Sequence, residues 1–129
     1  MSKLDDFLNL TDVSEIRKKI KFTIEGKTFE ITIRPITDAE HTEFQRRSNV
    51  MSKNKITFDS GKYANLVAEA CIVEPDFSNA EFLKKANCVS AIEFLNKKFP
   101  AGVISDIVQK IQELSGFETF DVEIENAKN

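Results

Sequence analysis

Glu74 and Asp76 stand on either side of Pro75 in residues 66–83, LVAEACIVEPDFSNAEFL. Two carboxylates this close could act as an acid/base pair or begin a hard-cation site. The proline fans their side chains apart, and no third or fourth oxygen ligand is spaced to complete calcium coordination. The stretch is therefore read as turn chemistry, with Asp76 supporting the turn and Glu74 in solvent. His41 is the single histidine, and no Cys or second His stands at ligand spacing from it, so a solvated or half-buried structural place is expected. Cys71 falls on an apolar stripe, where a thiol behaves as a small hydrophobe, and nothing basic near it in sequence would lower its pKa. Cys88 comes at a helix junction with no second pair to make a zinc knuckle or a redox motif.

The remaining chemistry-bearing residues are dispersed. Gly26, Gly61, Gly102 and Gly116 make no phosphate-cradling loop, and no G-x-S-x-G elbow is present. Lys-Lys pairs at 18–19, 84–85 and 97–98 read as solvated surface. No catalytic, metal or cofactor site is expected, and an enzyme is the least favoured class because no group is poised to move a proton.

Composition narrows the classes further. The 129 residues suit one domain with a real core, at 41% apolar and 30% charged content. Eleven Phe, one Tyr and no Trp leave aromatic burial mainly to phenylalanine. The net charge of −3 is local: Glu118, Asp121, Glu123, Glu125 and Lys128 account for all of it, and the preceding residues balance. A balanced body without a basic stripe argues against nucleic acid, which demands clustered cations. No run of about 20 apolar residues exists to span a membrane. The opening MSKLDDFLNL carries acids where a signal peptide needs a basic flank, and two lone Cys fit a reducing compartment.

The elements that must position these residues follow from periodicity and caps. Residues 1–19 read as an arm, a short amphipathic helix with Leu4, Phe7 and Leu8 on one face, or else a mobile terminus. Residues 20–36 read as a β-hairpin: Ile20, Phe22 and Ile24, then Phe29, Ile31 and Ile33, alternate with polar residues around a Gly-containing turn, and Pro35 ends the second strand. Residues 37–116 read as the helical part. Thr37 and Glu40 form a capping box for a peripheral helix with Ala39, Phe44 and His41 turned inward. Residues 48–60 read as a loop anchored by Ile56 and Phe58. Tyr63, Leu66, Val67, Ala70 and Cys71 make a full helical stripe, which Pro75 stops at Glu74. Further boxes at Ser78/Glu81 and Ser90/Glu93 launch two short helices, and Pro100 opens a long one that closes at Gly116. Residues 117–129 are an acidic tail whose Phe120, Val122 and Ile124 alternate with acids, offering either a third strand or an unpaired amphipathic segment. The fold class is α+β, an N-terminal hairpin packed on a mainly helical bundle.

Taken in order, these motifs resemble the phage XkdN-like tail assembly chaperones. The resemblance rests on R-P-I-T-x-x-E at residues 34–40, V-E-P-D-F at 73–77, the short helix with Phe82 and Leu83, and L-S-G-F at 114–117. It covers roughly residues 20–117. It implies a non-enzymatic factor of the host bacterial cytoplasm, absent from the mature virion, which binds the tape measure protein while tail tube subunits assemble. It also implies that a frameshifted longer form can accompany the short one. A holdase needs apolar patches rimmed by charge. Three are available: Leu4, Phe7 and Leu8 on the arm; Phe77 and Phe82 at the helix break, where filling the core is the favoured alternative; and Phe117, Phe120, Val122 and Ile124 in the tail. Self-association through the arm stays open. Two other classes compete: a structural tail completion or connector component, and a regulatory adaptor that binds a peptide along the hairpin edge.

Overall fold

The computed structural model describes residues 3–117. A short helix α1 (Lys3–Leu8) and a single 3-10 turn (Val13–Glu15) lead into strand β1 (Lys18–Ile24), which pairs antiparallel with β2 (Lys27–Ile33). The two residues between them, Glu25 and Gly26, both have positive φ, at 53° and 73°. That is the turn geometry whose twist suits a two-residue hairpin. Ile20 faces Ile31 and Phe22 faces Phe29, so the middle of one side of the ladder is apolar, with Lys18 opposite Ile33 and Lys27 opposite Ile24 at its ends. Only its open end is covered: Ile20, Ile31 and Ile33 are buried, whereas Phe29 near the turn is 43% exposed. Helices reach one half of that face, so the fully inward face expected from alternation is only half realised.

A third strand, β5 (Ile72–Glu74), pairs antiparallel with β2 on the side away from β1. It comes straight out of helix α3 (Ser60–Cys71), which therefore stops at Cys71, before Val73 and Glu74. Those residues read as the end of a helix in sequence, but β-branched Ile72 and Val73 satisfy their backbone better against the edge of β2. Arg34 N donates to Cys71 O at 2.9 Å and closes the junction. The tail residues offered as a third strand lie outside the described residues.

Helix α2 (Asp38–Arg47) has both bonds of its capping box, Glu40 N to Thr37 Oγ1 at 3.2 Å and Thr37 N to Glu40 Oε1 at 3.1 Å. Phe44 is buried, His41 is half-buried, and Ala39 faces solvent, contrary to expectation. Residues 48–60 are not a loop. They contain a second hairpin, β3 (Asn49–Ser52) with β4 (Lys55–Phe58), turned by Lys53 and Asn54 at φ 51° and 65°. Ser48, fully buried, donates Oγ to Phe44 O and accepts from Asp59 N at 2.7 Å, pinching the base of this hairpin shut. All eight strand residues are exposed, including Ile56 and Phe58, which were expected to anchor the segment.

The four later helices run long, short, short, long: α3, then α4 (Ala80–Ala86), α5 (Ala91–Lys98) and α6 (Ala101–Leu114). The cap of α4 is Asn79, accepting from Phe82 N at 3.0 Å, one residue later than the expected Ser78. Ser90 caps α5, while Glu93 accepts from Val89 N, one residue before the bond a full box requires. At the end of α6, Phe117 N bonds Gln112 O and Gly116 N bonds Glu113 O, a Schellman closure with Gly116 at φ 90°. The long helices α3 and α6 pack on each other, and Val67, Cys71, Leu95, Ile107 and Ile111 meet Ile33 of the sheet in one core.

Candidate functional site

The R-P-I-T-x-x-E motif is a structural clamp. Arg34 Nη1 and Nη2 each donate to a Glu40 oxygen at 2.7 Å, a bidentate pair on half-buried side chains. Glu40 also accepts from Thr37 N and Oγ1. The Arg34 hydrogen bond, aided by the Thr37 donors and opposed by burial, holds the Glu40 carboxyl down at about 2. The same hydrogen bond raises the Arg34 pKa against desolvation. Next door, Ile36 N donates to Ser115 Oγ at 2.8 Å, which ties the linker after β2 to the end of α6. One short motif thus joins the sheet, α2 and α6.

Glu74 and Asp76 make no joint site. Asp76 Oδ1 accepts from Ser78 N at 3.0 Å, as turn chemistry requires, and both residues are exposed. Among the described residues no group of three or more His, Cys, Asp or Glu is placed to hold a metal. Cys71 is fully buried, and desolvation pushes its thiol up to about 12 although Arg34 pulls the other way. An unreactive thiol follows. Cys88 is buried with Sγ against Ala86 O at 3.5 Å.

The apolar residues named from sequence are placed in three different settings. Leu4, Phe7 and Leu8 are 76%, 67% and 80% exposed, and no residue of α1 is buried. Phe77 and Phe82 are half-buried in an aromatic cluster: Phe77 lies 5.8 Å from Phe82 and 5.5 Å from Phe94, and Phe82 lies 4.7 Å from Phe94. Phe99 joins this cluster to Phe22 of β1 at 5.3 Å. Phe117, 39% exposed, leans on His41 at 4.9 Å between ring centres. Phe120, Val122 and Ile124 lie outside the described residues.

Phe117 and His41 belong to a feature that sequence reasoning missed, an open cleft of about 750 Å³. His41 Nδ1 and the Tyr63 hydroxyl are 2.6 Å apart on its wall, and Phe58 of the second hairpin stands 5.7 Å from Tyr63. Ile104 and Val108 of α6 add apolar surface, and the polar lining is amide and hydroxyl, from residues such as Gln45, Gln109 and Gln112. Among the described residues no Asp, Glu, Lys or Arg lines it. The only sequence signal for the second hairpin was the Lys-Asn turn between V-M-S and K-I-T-F, too short to stand out from a loop.

An α+β scaffold whose notable surfaces are apolar and uncharged is suited to contact with another polypeptide. The chain belongs to the family of phage XkdN-like tail assembly chaperone proteins, whose family model matches residues 4–128. It shares its fold with the crystal structure of the protein YqbN, at a TM-score of 0.58 and 16% identity over 79% of this chain and 87% of that one. No curated protein matches it. Among the described residues no helix is long and apolar enough to cross a membrane.

Proposed function

We propose that this protein is a non-enzymatic tail assembly chaperone that binds the phage tape measure protein while tail tube subunits assemble. It acts in the host cytoplasm and is left out of the finished particle. The observation that carries this reading, beside family membership, is the exposed apolar face of α1: Leu4, Phe7 and Leu8 stand in solvent with acids Asp5 and Asp6 between them. A contiguous apolar face rimmed by charge is an interaction surface. The half-buried Phe77 and Phe82 and the tail residues Phe117, Phe120, Val122 and Ile124 are the secondary contacts in this proposal.

The test is co-expression with the tape measure protein. The wild-type chain should keep it soluble, and a Phe7→Asp/Leu8→Asp variant, altered at residues that touch no core, should let it precipitate. Equal precipitation with and without the wild-type chain overturns the proposal. Finding the protein in purified phage by mass spectrometry would favour a structural tail component instead.

A further inference from the structure

The N-terminal arm and the first hairpin each leave an apolar surface bare in the single chain. On the arm, Leu4, Phe7 and Leu8 are exposed. On the hairpin, Ile20, Phe22 and Ile24 alternate onto the face that carries Ile33, Ile31 and Phe29. Helices cover the end with Ile20, Ile31 and Ile33. Toward the turn, Phe22 and Ile24 are half-buried, and Phe29, stacked 6.0 Å from Phe22, is exposed. Charge divides along the same line. The arm, residues 3–16, sets Asp5, Asp6, Asp12 and Glu15 against Lys3. The hairpin, residues 17–33, sets Arg17, Lys18, Lys19, Lys21 and Lys27 against Glu25 and Glu30.

Placement sharpens this contrast. Lys18 and Lys27 alternate onto the apolar face and bracket it, whereas Glu30 lies opposite Lys21 on the other face and Glu25 is in the turn. The segments joined to the hairpin cancel. β5 and the bend after it bring Glu74 and Asp76, the end of α5 before Phe99 brings Lys97 and Lys98, and Arg34 is paired with Glu40. On the second hairpin the exposed Met51, Ile56 and Phe58 share a face with Asn49, while Lys55 is on the other face, Lys53 is in the turn and Asp59 is at the base, so charge favours the first hairpin. An acidic apolar segment suits a face bracketed by lysines. We propose that the arm of one molecule docks on the first hairpin of a second copy. Leu4, Phe7 and Leu8 cover Phe22, Ile24 and Phe29, and Asp5 and Asp6 stand beside Lys18 and Lys27. Each copy gives an arm and takes one, which closes a two-fold dimer. Residues 9–17 join α1 to β1 and span at most about 30 Å, enough to reach a neighbour. This inference goes beyond the chaperone reading, and its test on the protein alone leaves that reading standing if it fails. If both hold, a partner that takes the arm must first displace a second copy.

Sedimentation of the full chain over a concentration series tests the dimer. The mass should rise toward twice that of one chain, and 1 M salt, where screening shortens to about 3 Å, should weaken association several-fold. Asp5→Lys/Asp6→Lys and Lys18→Glu/Lys27→Glu change only exposed side chains, and each variant alone should stay at the mass of one chain. An equimolar mixture of the two variants should associate again, because each arm then meets a hairpin of opposite charge. A nitroxide at Thr11→Cys, in a Cys88→Ser background that leaves only buried Cys71, locates the contact. It should broaden the amides of Ile24 and Phe29 when nitroxide and isotope label are on different molecules. A single-chain mass at every concentration overturns the proposal. So does a mixture that associates no better than its parts, broadening confined to the nitroxide's own molecule, or broadening centred on Met51 and Ile56.

Discussion

The molecule contains two antiparallel hairpins made to the same local recipe and put to different uses. Both turn on two residues with positive φ, Glu25-Gly26 in the first and Lys53-Asn54 in the second. The first has seven-residue strands, gains β5 on its open edge, and presses Ile20, Ile31 and Ile33 into the core. The second has four-residue strands, no third strand among the described residues, and not one buried side chain. A hairpin becomes part of the scaffold when helices cover its apolar face. Without that cover the same pattern leaves a sticky arm beside a cleft. The comparison shows that alternation identifies a hairpin's apolar face and is silent on what covers it.

The sharpest way to break the comparison is to truncate equivalent side chains. Ile33→Ala, at a fully buried position, should cost about 2–5 kcal/mol in denaturant unfolding. Ile56→Ala on the second hairpin should stay within about 0.5 kcal/mol. Comparable losses at both would mean that the second hairpin is as much a part of the core as the first.

The clamp at the end of β2 is the next lever. Glu40→Gln breaks a bidentate pair that joins the strand to α2, and should cost on the order of 2 kcal/mol after discounting for the partial exposure of both side chains. Its pH signature has a definite sign. The folded-state pKa of Glu40, about 2, lies below the ordinary value of 4.5. Its stabilisation is therefore complete above that ordinary value and fades as pH falls from about 4.5 toward 2. Thermal unfolding across that window should show an acid limb that the Gln variant flattens.

The smallest effects concern the turns. Gly26→Ala meets no neighbouring atom, so only the left-handed backbone opposes it, and a loss of about 1 kcal/mol is expected in global unfolding. Asn54→Gly, at φ 65° in the matching turn, should change global stability by less than about 0.5 kcal/mol, because the arm is not part of what unfolds cooperatively. Hydrogen exchange should nonetheless slow across β3 and β4 in that variant.

Much of the scaffold was legible from residues close in sequence. Thr37 with Glu40, Ser90 as the cap of α5, Gly116 after Leu114, and the stripes of α3 and α6 all act over three or four positions, and each appears where its spacing placed it. The misreadings arose where two local signals competed or a distant partner intervened. Ser78 and Asn79 are both good caps, and Asp76 had already taken the Ser78 backbone for its turn. Val73 reads as the last residue of a helix in sequence, but the free edge of β2 takes residues 72–74 as a strand.

The sequence by itself determined the starts of α2, α3, α5 and α6 and the alternating apolar residues of the first hairpin. These follow from interactions between neighbours, whose energies are written in adjacent residue types. Only the tertiary structure decided the third strand, the Arg34–Glu40–Thr37 junction at Ser115, and the row of rings from Phe117 to Phe58 around the cleft. Each of those joins residues far apart in the chain. Their contacts exist only once α2, α3 and α6 have packed, and no spacing within a single segment encodes that.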